Sequence, residues 1–263
     1  MKELVISKRM ETVAGLVPKG VETVADVGCD HAYVSIKLVK DGIADKVIAM
    51  DLRKGPLKIA ANNIRQYGMD KFIETRLSDG LDKLMPSEAD AIIIAGMGGL
   101  LMKDILERGI RILNSQKPPV LILQPQSDIR EIRRFLFCNS YHIERESMVY
   151  EDGKYYTAIL AACGSDESLY DETELLYGRY NIVNKDKVLI SYLEKEEKNI
   201  SDILKRLEGV NEQFDPANED DLQENAAGHS SSGTRKEQRI EELRELLKVN
   251  RIAYKRCVTG GEV

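Results

Sequence analysis

The sequence predicts an α/β protein, a doubly wound parallel sheet closed by an antiparallel hairpin and followed by a helical C-terminal region. Three features carry that expectation. Apolar strand-like runs alternate with helical segments through the first half of the 263 residues. Val24-Ala-Asp-Val-Gly-Cys-Asp-His-Ala-Tyr33 reads as a strand that ends in an acid and a glycine and turns straight into a helix. Further on, Glu151-Asp152-Gly153 joins two strand-like runs, and Asp-Gly in that setting signals a hairpin.

Taken in order, apolar residues at helical intervals from Leu4 to Leu16 predict a helix, stopped by Pro18-Lys-Gly20. The first strand follows, then a helix from Ala32 to Lys40 and a strand from Lys46 to Met50. Pro56, tolerated in a first turn, opens a helix that runs to Tyr67 and is stopped by Gly68. Strands are expected at Phe72 to Leu77 and Ala89 to Ala95, then a helix from Leu100 to Arg108. After Pro118-Pro119 come a strand, Val120 to Gln124, and a helix, Ser127 to Phe137. Tyr141 to Tyr150 and Lys154 to Ala162 form the hairpin. A parallel sheet closed in this way is the layout of Rossmann-like methyltransferases, in contrast to all-parallel dinucleotide enzymes.

Beyond Gly164 the pattern is helical. Ile182, Leu189, Leu193, Ile200, Ile203 and Leu207, then Ile240, Leu243, Leu247 and Tyr254, predict two helices zipped as an antiparallel coiled coil. Asp186, Glu196 and Asn250 interrupt these seams, and two amphipathic helices packed separately on the first domain are the alternative. Asn211 to Gly233 holds six acids and no Lys or Arg, which predicts a disordered acidic tip. The expected domains are therefore 1–163 and 164–263.

The bulk properties narrow the class. Cys29, Cys138, Cys163 and Cys257 are far apart with no C-x-x-C pair, so neither a standard zinc site nor a disulfide framework is expected. The first apolar run is only Leu4-Val-Ile6, too short for a secretory segment, and no stretch approaches the ~20 apolar residues of a membrane span. A monomeric cytoplasmic protein without metal is the expectation. The formal net charge of -6 weighs against nucleic acid for the chain as a whole, but it hides local asymmetry.

The strand ends point to a nucleotide cofactor. In a doubly wound sheet the ligand crevice lies beyond the carboxyl ends of the strands, where Gly28 lets backbone approach the ligand. About 24 residues on, Asp51 ends the second strand, placed for ribose hydroxyls. The turn lacks Gly-x-Gly-x-x-Gly and carries Asp30 where a pyrophosphate would sit, which disfavours NAD and FAD. S-adenosylmethionine has adenosine, no phosphate, and a sulfonium and ammonium that suit Asp26 and Asp30. Asp30-His31 also reads as a helix cap and first-turn residue, a role compatible with ligand contact.

Ser7-Lys8-Arg9-Met10, Asp26-Val-Gly-Cys-Asp-His-Ala-Tyr33, Asp51, Ser78-Asp79-Gly80-Leu81 and Ala95-Gly-Met-Gly-Gly99 occur in this order before a helical extension. Together they closely resemble the bacterial tRNA (adenine-22-N1)-methyltransferase family. The resemblance implies methyl transfer from S-adenosyl-L-methionine to N1 of adenosine 22 in tRNA, a class I methyltransferase domain and a C-terminal coiled coil. The cofactor-binding candidates are Arg9, Asp26, Gly28, Cys29, Asp30, His31, Asp51, Leu52, Asp79, Gly80, Gly96 and Met97. Asp30, His31, Tyr33, Met97 and Gly98 are the candidates beside the reacting atoms. Asp and Asn also favour turns for local reasons, so each acid has a capping role as its alternative.

At Gly96-Met-Gly-Gly99, enzymes that methylate an exocyclic amine carry Asn or Asp, Pro-Pro and an aromatic residue. Adenine N1 has an in-plane lone pair and needs positioning rather than a general base. The glycines would let the base lie close to the backbone, or simply allow tight helix packing. Lys8, Arg9, Lys37, Arg53, Lys54, Lys103, Arg130, Arg133 and Arg134 are expected around the crevice as phosphate contacts. From Arg235 to Arg256 the last helix holds eight Lys or Arg against four Glu, a second tRNA-facing candidate or a solvated coiled-coil surface. Methylation of another RNA or a small molecule, and a non-catalytic adenosylmethionine-binding module, are the competing functions.

Overall fold

The computed structural model describes residues 4–164, 169–209 and 230–259. The chain divides into two compact units, Met1–Tyr170 and Asp171–Val263. The expected boundary at 163/164 falls at the end of the last strand. Tyr170 stays with the first unit because its ring packs on Phe137, with centroids 4.3 Å apart.

The first unit is a seven-stranded sheet of order β3-β2-β1-β4-β5-β7-β6. Its strands are β1 (Val21–Val27), β2 (Ala44–Asp51), β3 (Ile73–Leu77), β4 (Ala91–Met97), β5 (Val120–Pro125), β6 (Tyr141–Glu151) and β7 (Lys154–Cys163). The first five are parallel, and the β6–β7 hairpin adds antiparallel through β7 against β5. Helices cover both faces: α1 (Lys8–Leu16), α2 (Tyr33–Lys40), α3 (Lys54–Gln66), α4 (Gly99–Arg108), α5 (Ile110–Leu113) and α6 (Ile129–Cys138). This explains why β4 is continuously apolar: Ile92, Ile93 and Ile94 are fully buried in a strand with no solvent face. β1 pairs with both β2 and β4, so the strand order reverses there and opens a crevice at the carboxyl edge.

Helix limits move by a few residues from the sequence reading because capping sets them. α1 begins at Lys8, since Ser7 is extended and its Oγ accepts from the Met10 amide at 3.2 Å. α2 begins at Tyr33 after Ala32 in the left-handed region, and α6 begins at Ile129 after Asp128 at φ 52°. β4 runs on to Met97, with a register shift between Ala95 and Met97 where Gly96 adopts φ 78°. One phosphate candidate is corrected: Arg133 is buried on α6, 1% exposed, and its guanidinium holds the buried Glu146 carboxylate at 2.7 Å. An arginine on the inner face of a strongly amphipathic helix needs a buried counter-charge and cannot reach RNA.

The second unit is helical: α7 (Glu172–Tyr177), α8 (Arg179–Val183), α9 (Lys187–Gly209) and α10 (Ser230–Thr259). α9 and α10 run antiparallel, as Tyr254–Glu194, Arg251–Glu197 and Arg244–Glu208 contacts show. Ile200, Leu204, Ile240 and Leu243 form the seam. Ile182 lies in α8 instead, because Asn184 and Lys185 turn the chain and Asp186 caps α9 by accepting from the Val188 and Leu189 amides. The polar seam residues pair with each other: Asn250 donates to Leu193 O and Glu196 Oε2, and the hydroxyls of Tyr177 and Tyr192 also donate to Glu196. Of the expected disordered tip 211–233, residues 230–233 are the first turn of α10, and 211–229 lie outside the described residues. No described helix is long and apolar enough to cross a membrane.

Candidate active site

Strands β1, β2 and β3 deliver their acids to one edge. After β1 the chain folds across β2, where the amides of Gly28 and Cys29 both donate to Met50 O, at 2.8 and 2.9 Å. Gly28 sits at φ 75°, a conformation that favours glycine, and a Cβ there would also have to displace the end of the Met97 side chain. The cap of α2 is Ala32 at φ 59°, without a side-chain hydrogen bond. Asp30 is therefore not the helix cap, and its carboxylate stands 3.4 Å from His31 Nε2. The His31 carbonyl accepts from Asn63 Nδ2 at 3.0 Å, which ties the turn to α3.

The three strand-end acids differ in environment. Asp26 is buried and accepts from Ser35 Oγ at 2.6 Å. Burial pushes its carboxyl up to about 6, against the lowering effect of the Ser35 hydrogen bonds, and Asp51 adds a smaller upward push. Asp51 accepts from the Arg53 amide at 2.8 Å, so a turn role and a cavity-facing role coexist. Asp79 is held by Arg108 Nη2 at 3.1 Å, while Ser78 Oγ donates to Gly80 O and accepts from the Lys83 amide. The Cys29 thiol is pushed far up, first by burial and then by Asp26, Asp51 and Asp30, which makes it an inert wall residue.

The opposite wall is built around Gln124. Its Oε1 accepts from Arg9 Nη1 at 2.9 Å and from the Gly96 amide at 3.2 Å. The Arg9 guanidinium lies over the Tyr156 ring, 5.4 Å from its centroid. Glu151, at the tip of β6, caps α1 from a distance by accepting from the Lys8 and Arg9 amides at 2.7 and 3.2 Å. The Gly99 amide donates to Ser127 Oγ at 3.3 Å, joining the β4 turn to the segment after β5.

These walls enclose a cavity of about 470 Å³, within the usual size of small-molecule sites. It is lined by Arg9, Asp26, Gly28, Cys29, Asp30, His31, Tyr33, Asp51, Leu52, Asp79, Gly80, Gly96 and Met97 among the sequence-derived candidates. Gly98 is not part of the wall; it is the residue before α4. The structure also brings in Met10, Val13, Ala95, Leu101, Ile105 and Gln126, which sequence reasoning missed. The signal for Gln124 and Gln126 was present, since both stand at the carboxyl end of β5 by the same rule that selects Asp51. The wall chemistry fits adenosylmethionine: four carboxylates for hydroxyls, an amine and cationic groups, and Arg9 for a carboxylate, with Arg53 also at the wall. Among the described residues no cluster of His, Cys, Asp or Glu has metal-binding geometry.

An open sheet of this order with acid-tipped strands around one apolar-floored cavity defines a Rossmann-like methyltransferase, and residues 6–159 match the methyltransferase domain family. A Bacillus subtilis tRNA (adenine(22)-N(1))-methyltransferase is 39% identical over 178 residues, 68% of this chain and 74% of that protein. The crystal structure of B. subtilis m1A22 tRNA methyltransferase TrmK superposes with a TM-score of 0.78 and 29% identity, covering 96% of this chain and 100% of that one. M. capricolum TrmK, solved with the cofactor product S-adenosyl-homocysteine, superposes at 0.70 with 29% identity, covering 93% and 98%. This chain belongs to the tRNA (adenine(22)-N(1))-methyltransferase family.

Proposed function

We propose that this chain transfers a methyl group from S-adenosylmethionine to N1 of adenosine 22 in tRNA, as a monomeric cytoplasmic enzyme. The observation that carries the reading is one cavity with two unlike sets of lining residues. Asp26, Asp30, Asp51 and Asp79 are in its lining, and so are Gly96 and Met97 from the β4 turn, which carries no amide side chain. The cofactor supplies an electrophilic methyl on a cationic sulfur. Asp51 takes the ribose hydroxyls, Asp79 the adenine amine, and Leu52, 62% exposed, covers one face of that adenine. Asp26 and Asp30 face the ammonium, and Arg9, fixed by Gln124 and Tyr156, faces the carboxylate.

The target base must be turned out of the tRNA core, because its N1 is otherwise occupied. Tyr33 and His31, whose rings are 5.9 Å apart, stand at the cavity to stack on it. Attack of the N1 lone pair on the sulfonium methyl would break the S–CH3 bond, leave a neutral thioether and need no general base, so the chain contributes in-line positioning and exclusion of water. Asp30, at the same turn, offsets the positive charge left on the methylated ring. Lys8, Arg53 and Lys54 are exposed for phosphates. In the helical unit Arg239, Arg244, Lys248 and Arg251 are engaged with acids, as exposed pairs that phosphates can displace cheaply, while Arg256 is half-buried against Asp171.

The test is direct. Purified protein, S-adenosylmethionine and unmodified tRNA with adenosine at position 22 should give 1-methyladenosine on nucleoside digestion, and replacing that adenosine should abolish it. Binding should weaken steeply with salt, because phosphate neutralisation releases counterions and that release is worth less as salt rises. N6-methyladenosine as product would overturn the role of the glycine turn, and no methylation of tRNA would favour a small-molecule substrate.

A further inference from the structure

We infer that Gln126 reads the target base, its carboxamide pairing with N6 and N7 of the adenine that is methylated at N1. The inference rests on the proposed target and adds the group that recognises it. Gln124 is near the end of β5 and Gln126 is the first residue past it, at the cavity wall. Gln124 is 1% exposed and fully used: Oε1 serves Arg9 and Gly96, and Nε2 donates to Pro125 O. Gln126 is exposed at the cavity wall, and among the described residues its carboxamide makes no hydrogen bond.

The backbone at Gln126 is nonetheless fixed. Its backbone amide donates to Met97 O at 2.8 Å, inside the glycine turn, and its Nε2 lies 3.9 Å from where a Cβ on Gly96 would stand. The neighbouring Ser127 hydroxyl is already committed, donating to Asp128 at 2.7 Å and accepting from Gly99. A planar group with one donor and one acceptor side by side is thus carried, on a fixed backbone, next to the turn on which the base is to lie.

The chemistry of that group selects adenine. A carboxamide donates to N7 and accepts from N6–H in one plane. Guanine offers two acceptors on the same edge and forfeits one of the two bonds. Pairing on the N6/N7 edge leaves N1, on the other side of the amine, open to the methyl. Asp30 and His31 also face the cavity, but neither side chain carries a donor and an acceptor with the spacing of a carboxamide.

Steady-state kinetics with two substrates test the inference: tRNA with adenosine 22, and the same tRNA with 7-deazaadenosine 22, which lacks the N7 acceptor. Gln126→Ala should lower kcat/KM on adenosine by roughly ten- to a hundredfold. The wild-type enzyme should lose a comparable factor on the 7-deaza substrate, and the variant should show little further loss there. Adenosylmethionine affinity by calorimetry should be unchanged in the variant. An equal fold-loss on both substrates, an unchanged kcat/KM on adenosine, or weakened cofactor binding would each overturn the role of Gln126 alone. No 1-methyladenosine from the wild-type enzyme would instead overturn the proposed target, and this inference with it.

Discussion

Arg9 donates from Nη1 to Gln124 Oε1 at 2.9 Å, joining residues 115 positions apart in the chain, and the same oxygen accepts from the Gly96 amide. One buried carboxamide therefore holds both a cavity-facing cation and the turn of β4. Gln124→Leu leaves two donors without an acceptor, at about 1–3 kcal/mol for such a loss. Urea unfolding should show that destabilisation, and calorimetry should show weaker adenosylmethionine binding as the guanidinium loses its anchor. Gln124→Glu keeps the acceptor and should retain more affinity than Gln124→Leu; equal losses would detach Arg9 from the cofactor.

Asp26 makes stability depend on pH in the direction opposite to an ion-paired carboxylate. Its folded value of about 6 lies above the ordinary 3.8, so between the two the folded state keeps a proton that the unfolded state has lost. That contribution is complete below about pH 4 and is lost as pH rises through about 6, on the order of 3 kcal/mol in all. Asp26→Asn stays neutral throughout and should flatten the stability profile across this window in denaturant titrations. A cationic cofactor beside the same turn favours the carboxylate. Binding should release a proton near pH 6, measurable by calorimetry in buffers of different ionisation enthalpy, and tighten as pH rises.

Gly99 and Gly98 should respond differently to a single methyl group. A Cβ on Gly99 would strike the Ser127 carbonyl and stand 2.9 Å from Asp128 Cβ, while one on Gly98 meets only Ser127 Oγ at 3.3 Å. Gly99→Ala should therefore cost about 1–3 kcal/mol and displace the turn, with a large fall in activity. Gly98→Ala should fold normally. Thermal unfolding and methylation assays together decide: if Gly98→Ala is stable yet inactive, the base lies directly against that position.

Arg133 and Glu146 form a buried pair, 1% and 0% exposed, rather than a phosphate contact. Glu146→Ala leaves a guanidinium buried without its partner and should destabilise the fold by about 3–5 kcal/mol. The double change Arg133→Met with Glu146→Leu should recover most of this in denaturant titration. It should leave the salt dependence of tRNA binding unaltered, because Arg133 contributes no surface charge.

Much of the fold was legible because it is written in local patterns. The apolar run before Gly28, the acids at Asp26, Asp51 and Asp79, and the Asp152-Gly153 turn each follow from what one strand end or one hairpin requires. Strand alternation then placed those acids at one edge, since parallel strands share their carboxyl ends. What the chain by itself determined is the order of its elements and the acid wall of the cavity. Tertiary structure decided which polar groups are spent and which are left for ligands. Gln124 and Gln126 are alike in sequence, but only packing of α1 against the sheet commits the first to Arg9 and leaves the second facing the cavity. Arg133 and Asn250 read as surface charge and seam defect until partners 13 and 54 residues away, Glu146 and Glu196, satisfy them. A residue's own neighbourhood in sequence sets its backbone conformation, whereas the partner that desolvates or satisfies its side chain is supplied by segments distant along the chain.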